Sequence, residues 1–245
     1  EARGVDIAVG HGKNIWDLNP KLAASVTAIY DDAKISLRAE LTPAFIKTIP
    51  NAVQVSTLSR DREDYILHPA TGEKLSPKSV AALKKLRDSW AGKEPTAQIV
   101  ISDGLNAKAI MDKGHLMPYL EEIRKLLTEA GTVVSEKNIV VTSGRVRAGY
   151  EIGCILFEKS DPNKLKGILH IIGERPGTMH HSYSVYITVA KGKSWTSKKV
   201  DHDITKLVSN IADTALAPKE AAKETLTIVR KMVLKLAPSS RGQGQ

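Results

Sequence analysis

The chain has 245 residues, 42% hydrophobic, 26% charged and only 4% aromatic, with one cysteine and a formal charge of +9. A single cysteine excludes a disulfide framework, and no apolar run approaches the roughly 20 residues of a membrane span. The basic excess is spread along the chain with few aromatics to stack bases, so it reads as a solvated surface and no nucleic-acid partner is expected. No cleavable signal pattern is present, which leads us to expect a reducing, intracellular compartment.

Residues 1 to about 70 read as irregular. Val5 to Val9 has the pattern of a short strand. Gly10-His11-Gly12 after it lacks the third glycine of a dinucleotide loop, with Ile15 in that place. A helix is expected over Leu22 to Tyr30 and a short one from Thr42-Pro43. Tyr65 to Gly72 reads as an extended piece and a turn. The region is expected to wrap a partner rather than fold alone.

The pattern sharpens at Ser76-Pro77, which cap and start a helix carrying Val80, Leu83 and Leu86 and ending near Gly92. Gln98 to Ile101 is a strand, followed at once by Ser102-Asp103-Gly104. Leu116 to Ala130 is an amphipathic helix stopped by Gly131. Asn138 to Thr142 is the next strand, closed by Ser143-Gly144-Arg145-Val146. A helix from Arg147 to about Glu158 follows, with Cys154 in its apolar stripe read as a buried, inert thiol. The run from Gly167 to Gly173 is a buried strand, and Glu174-Arg175-Pro176-Gly177 breaks it with a tight turn in which Gly177 takes positive φ. An alternating strand, Ser184 to Val189, comes next. Two helices are expected after it, over Asp203 to Ala215 and over Pro218 to Leu236, and the Gly-Gln-Gly-Gln tail reads as disordered. This alternation predicts an α/β, Rossmann-like fold: a mainly parallel sheet flanked by helices, with an irregular or helical N-terminal extension.

Three of these strands end in comparable turns. If the strands are parallel neighbours, the turns at Asp103, at Gly144-Arg145 and at Glu174 meet at one edge of the sheet. Ligands of open α/β sheets bind at that edge. Helix N-termini there offer free N–H groups and Asp103 and Glu174 offer acceptors, although Asp103 equally fits a helix cap. The remaining motifs are weak. Gly192-Lys193-Ser194 has Ile187 where a phosphate loop needs glycine. His180-His181 with His202 and Asp203 match no metal-ligand spacing and read as polar-network or solvent-exposed residues. There is no nucleophile–base motif and no complete catalytic set. A free-standing nucleotide- or small-ligand-binding α/β protein, with its site at the strand carboxyl ends, is therefore one reading.

A second reading comes from a resemblance. On Val100-Ile101-Ser102-Asp103-Gly104-Leu105, Gly144-Arg145-Val146, Ile152-Gly153 and Gly173-Glu174-Arg175-Pro176-Gly177 the chain resembles the small subunit of ethanolamine ammonia-lyase. Weaker matches are His68-Pro69 with Gly72 and Leu75, Ser209-Asn210-Ile211 and Ala221-Ala222. Order and spacing agree from about residue 40 to 230. The resemblance implies an adenosylcobalamin enzyme converting ethanolamine to acetaldehyde and ammonia, a carbon–nitrogen lyase. Its small subunit has a Rossmann-like fold and covers cobalamin held against the barrel of a large subunit. It implies cofactor contacts at Val146 and Glu174. A third family contact, a cysteine, falls on Leu207 here or on its neighbour Lys206, where only a main-chain contact carries over.

The same resemblance implies that substrate-binding residues belong to the large subunit, so no catalytic or metal-ligating residue is expected in this chain. Residues 1–72 become a partner-contacting extension and 73–245 the cobalamin-covering domain. Asp112 and His115 are one residue too far apart for the Asp-x-His-x-x-Gly signature, so cobalamin is expected to keep its own base. The resemblance further implies a cytoplasmic hetero-oligomer, free or packed in a bacterial microcompartment.

Overall fold

The computed structural model describes residues 12–14, 17–177 and 181–237. The strand expected at Val5 to Val9 and the Gly-Gln-Gly-Gln tail lie outside them. Two helices come first, α1 (Pro20–Arg38) and α2 (Pro43–Ile46). Asn19 and Thr42 start them by accepting the N–H groups of Lys21 and Phe45, each with proline at the first helical position. The strand β1 (Ala52–Ser56) follows, in a stretch that the sequence reading left irregular. It is a half-exposed edge strand of five residues, too short for its period-2 pattern to stand out.

Tyr65 belongs to a helix, α3 (Arg62–Leu67), and not to the extended piece expected there. Asp61 accepts the Asp64 N–H at 2.8 Å, and Glu63 and Asp64 add negative charge to the first turn, which favours helix. A 3₁₀ turn over Pro69–Glu73 completes the segment. Then come α4 (Pro77–Ser89), capped by Ser76 as expected, and β2 (Ala97–Ser102). The helices α5 (Ala107–Met111) and α6 (Leu116–Glu129) lead to β3 (Val134–Thr142), and α7 (Val146–Leu156) leads to β4 (Leu165–Gly173). The chain closes with β5 (Tyr183–Lys191), α8 (Gly192–Thr196), β6 (Thr205–Ile211) and α9 (Pro218–Leu236). The helix expected over Asp203 to Ala215 is instead a 3₁₀ turn, His202–Ile204, and the strand β6. Ile204, Val208 and Ile211 mimic helical spacing, but pairing to β5 decides the matter.

The six strands run in the order β1-β3-β2-β4-β5-β6. The pairs β1–β3, β3–β2 and β2–β4 are parallel, while β5 is antiparallel to both β4 and β6. The fold is thus α/β with a mixed, mostly parallel sheet. One face of the sheet buries Ile99, Ile101, Leu169, Ile171 and Val185 against α6 and α9. The other buries Val100, Ile139, Val141 and Ile168 against α4, α7 and Trp195 of α8. On that second face the helices cover β3, β2 and β4, but toward the edge the cover gives out. Tyr186 of β5 is half-buried and Leu207 of β6 is 44% exposed.

Candidate functional site

The three strand-end turns do meet. Asp103, at the end of β2, is fully buried and accepts the N–H groups of Ser143 at 3.0 Å and Gly144 at 3.2 Å in the turn after β3. On the other side, the Leu105 N–H donates to the Gly173 carbonyl at the end of β4 at 3.1 Å. The loop after β2 is pressed into this gap. A Cβ on Gly104 would lie 2.2 Å from the Gly173 oxygen, and one on Gly173 would lie 2.1 Å from the Asn106 oxygen. The order in which strands join the sheet reverses between the parallel neighbours β2 and β4, the usual place for a ligand crevice, yet here the loop backbone fills it.

Asp103 is therefore structural. It caps a neighbouring turn, while Asn106 caps α5 by accepting the Ala109 N–H. Burial pushes its carboxyl up to about 6, against the pull of the Arg62 guanidinium 3.6 Å away and the two N–H donors. Arg62 is itself buried and donates through Nε to the Leu37 carbonyl. Its guanidinium and that of Arg145 both lie over the Tyr65 ring, at 4.7 and 4.5 Å from the centroid. The Tyr65 hydroxyl donates to the Gly144 carbonyl at 3.0 Å. Residues 62–65 thus clamp the turn that launches α7.

What stays open is the edge beyond β4. His170, Tyr186 and Leu207 stand side by side across β4, β5 and β6, each directly opposite the next in register. The helix α7 rests on the first of them, because a Cβ on Gly149 would lie 2.4 Å from His170 Nδ1. Val146, the first residue of α7, is half-buried, and no side chain caps that helix start. Its carbonyl is near enough to act on the His170 ring, though outside hydrogen-bond geometry. Glu174 follows β4 directly, half-buried, with its N–H on the Ser182 carbonyl at 3.0 Å. Burial and the nearby Glu174 carboxylate together raise the Tyr186 hydroxyl above its ordinary value. Val146, Glu174 and Leu207 therefore flank one patch, with Tyr186 at its centre.

Sequence reasoning missed Tyr186, and with it Ser184 and His170. The signal was available: Ser184, Tyr186 and Thr188 give the alternating strand a polar side that a fully covered strand would not carry. Ser184 Oγ and both nitrogens of His170 are buried without a hydrogen-bond partner among the described residues. Burial pushes the His170 imidazole down to about 4, so it is neutral at physiological pH.

Of the histidines considered for a metal, His180 lies outside the described residues, and His181 and His202 do other work. His181 holds Asp112 at 2.6 Å and Asp32 at 2.9 Å, pinning α1 to the residue that ends α5, while His202 bonds Asp201. Among the described residues no group of three metal-ligating side chains comes together. Cys154 is half-buried and lines a cleft of about 370 Å³ between α4 and α7. Burial pushes its thiol up to about 11. Neither this cleft nor a second one of about 430 Å³ includes Val146, Glu174 or Leu207, so the Tyr186 patch is separate from both.

Comparison with known proteins places the chain. Residues 2–238 match the family described as the ethanolamine ammonia-lyase light chain. The chain belongs to that family. The ethanolamine ammonia-lyase small subunit of Bradyrhizobium diazoefficiens is 32% identical over 173 residues, 70% of this chain and 59% of that relative. The matched part thus spans less than two thirds of the relative's length. The chain thus falls within a lyase family. In this light chain no helix among the described residues is long and apolar enough to cross a membrane.

Proposed function

We propose that this light chain covers adenosylcobalamin held against a large subunit, in an assembly that converts ethanolamine to acetaldehyde and ammonia. The observation that carries the reading is the patch around Tyr186. It joins an exposed apolar side chain, Leu207, to a carboxylate, Glu174, and a helix start without a side-chain cap at Val146. A corrin is an apolar macrocycle rimmed with primary amides, and such a rim needs acceptors beside an apolar surface. The residues present fit that demand: Leu207 and Tyr186 offer apolar contact, and Glu174 accepts from an amide or a ribose hydroxyl. Ser184 Oγ, buried beneath the patch without a partner among the described residues, adds one more polar atom. Bound adenosylcobalamin supplies radical chemistry.

In this reading the chain's own residues bind and orient, and none acts on substrate. The proposed contacts are Val146, Glu174 and Leu207, with Leu207 adding a backbone contact to its apolar one. His115 engages the Ala109 carbonyl and Asp213 through its two ring nitrogens, so it is committed within the fold. This suits a cobalamin that keeps its own base. A shallow patch needs a second wall, which supports a hetero-oligomer with the large subunit. The N-terminal extension, with Val26, Tyr30 and Ile35 of α1 exposed, suits contact with a partner. The proposed location is the cytoplasm, free or inside a microcompartment.

The test is reconstitution. Alone, the purified chain should neither deaminate ethanolamine nor retain adenosylcobalamin through gel filtration; co-expressed with a large subunit it should do both. Turnover by the isolated chain with adenosylcobalamin would overturn the proposal.

A further inference from the structure

The end of the sheet opposite the Tyr186 patch carries a second feature. A groove of about 430 Å³ runs between the last residues of β5, the start of β6, α8 and the end of α9. Its floor is apolar, formed by Val189, Ile204, Met232 and Leu236. Its rim carries Lys191, Lys193, Lys206 and Lys235 against a single acid, Asp203. No carboxylate among the described residues lies within ion-pairing distance of any of the four lysines. Some lysines elsewhere are paired, Lys108 with Asp32, Lys159 with Asp88 and Lys223 with Glu220, and what sets the groove apart is that four lysines share one apolar floor. Lys191 faces Leu165 at the start of β4 and Tyr183 faces Gly173 at its end. Lys191 is five residues from Tyr186 along β5, roughly 17 Å at about 3.3 Å per residue, while Lys206 adjoins Leu207 on β6 and lies on the other face of the sheet.

We propose that this groove docks an acidic, amphipathic segment of a partner protein. Charge complementarity selects the occupant. Four unpaired ammonium groups around an apolar floor repel one another and favour a ligand that brings both carboxylates and an apolar stripe. Such a segment, folded as a helix, lays its apolar side in the groove and its acids along the rim. The lysines act as mobile point charges and set no fixed geometry, which suits a run of Glu or Asp better than one planar anion.

The test uses the full chain and a fluorescein-labelled synthetic helix of about 14 residues, roughly four turns, with Leu on one side and Glu on the other. Anisotropy should show binding that weakens as salt rises past about 0.1 M, where exposed charges are screened. The double variant Lys191→Glu, Lys206→Glu should bind at least about tenfold more weakly. Met232→Ser should also weaken binding. The double variant Lys85→Glu, Lys125→Glu, with the same change in net charge on other surfaces, should bind as the unaltered chain does. A peptide with Gln for every Glu should not bind. No binding of the acidic peptide, or equal loss in both double variants, would overturn the proposal. So would tripolyphosphate binding that depends on Lys191 and Lys206 without peptide binding, because the groove would then take a small anion. Self-association abolished by the groove variant alone would likewise overturn it, assigning the groove to a second copy.

Discussion

The Ser143 N–H, at the end of β3, donates to Asp103 Oδ2, at the end of β2, at 3.0 Å. That bond places a carboxylate in a fully buried site, and its carboxyl is pushed up to about 6 from 3.8. Between about pH 4 and 6 the native chain therefore holds a proton that the unfolded chain has released. The burial penalty of Asp103 is carried above pH 6 and relieved as pH falls. His170 does the reverse. With its imidazole pushed down to about 4, only the unfolded chain takes up that proton between about 6.5 and 4, so its term costs stability as pH falls. Each spans about two units, roughly 3 kcal/mol, and the two oppose each other. Asp103→Asn should lose stability steeply between pH 6.5 and 4.5 relative to the unaltered chain, and His170→Met should gain it. Urea melts across that range check both, and other titrating groups cancel in the comparison. Parallel curves for all three proteins would refute the pairing.

Gly149 concerns the same histidine from above. An alanine in a helix interior gains about 1 kcal/mol over glycine, while forcing a side chain into a packed site costs about 1–3 kcal/mol. With the new Cβ 2.4 Å from the His170 ring, the second effect should win, and Gly149→Ala should be destabilising. In a His170→Ser background the obstacle is gone and the sign should reverse. A thermal-unfolding double-mutant cycle measures this coupling, and additive effects would argue against the contact.

At the proposed cofactor patch, Glu174→Gln keeps the shape and removes the charge. In the assembled complex, adenosylcobalamin affinity should fall by roughly 1.5–3 kcal/mol, the scale of a hydrogen bond to a charged group. Turnover at saturating cofactor should change much less. Leu207→Asp should weaken affinity as well, with little effect on the melting temperature because Leu207 is 44% exposed. Leu207→Cys, which keeps a small apolar side chain there, should leave affinity near its starting value. Normal affinity with a lowered melting point in Glu174→Gln would mean that Glu174 only holds its turn.

For Cys154, a thiol pushed up to about 11 is almost wholly protonated at neutral pH. It should react with a disulfide reagent far more slowly than a free thiol. Cys154→Ala should leave the activity of the reconstituted complex nearly unchanged. A large loss of activity with an unaltered melting curve would show that the cleft it lines has a role.

The parts of the fold legible in the sequence were those with long, regular patterns. The cap at Ser76, the helix stopped at Gly131 and the buried runs that became β2, β3 and β4 all announce themselves. The parts that were not legible depend on partners distant in sequence. The strand β6 has helical spacing and becomes a strand because β5 offers an edge. The helix α3 was hidden by Pro69 and Gly72, which signal a turn just after it. At the site, the meeting of the three turns followed from parallel order alone. That the loop at Gly104 fills the crevice did not, since it depends on a backbone contact with Gly173. Asp103 thus moved from a possible ligand group to an internal strut, and Tyr186 took the centre of the patch.

The edge strand β1 joins the sheet only through β3, and Thr142 Oγ1 donates to the Val55 carbonyl across 87 residues of chain. The antiparallel β4–β5 pair, by contrast, closes over a short connection. Chain closure over the longer distance is entropically costly and comes late when a protein acquires its structure. The strand β1 then stays out of the sheet until β3 has formed, whereas α1 has ties of its own to α5 through Asp32. On refolding, amides of Val53 and Val55 should therefore gain protection after those of β2 and β4. During synthesis β1 would likewise wait for β3 to leave the ribosome before it could join the sheet.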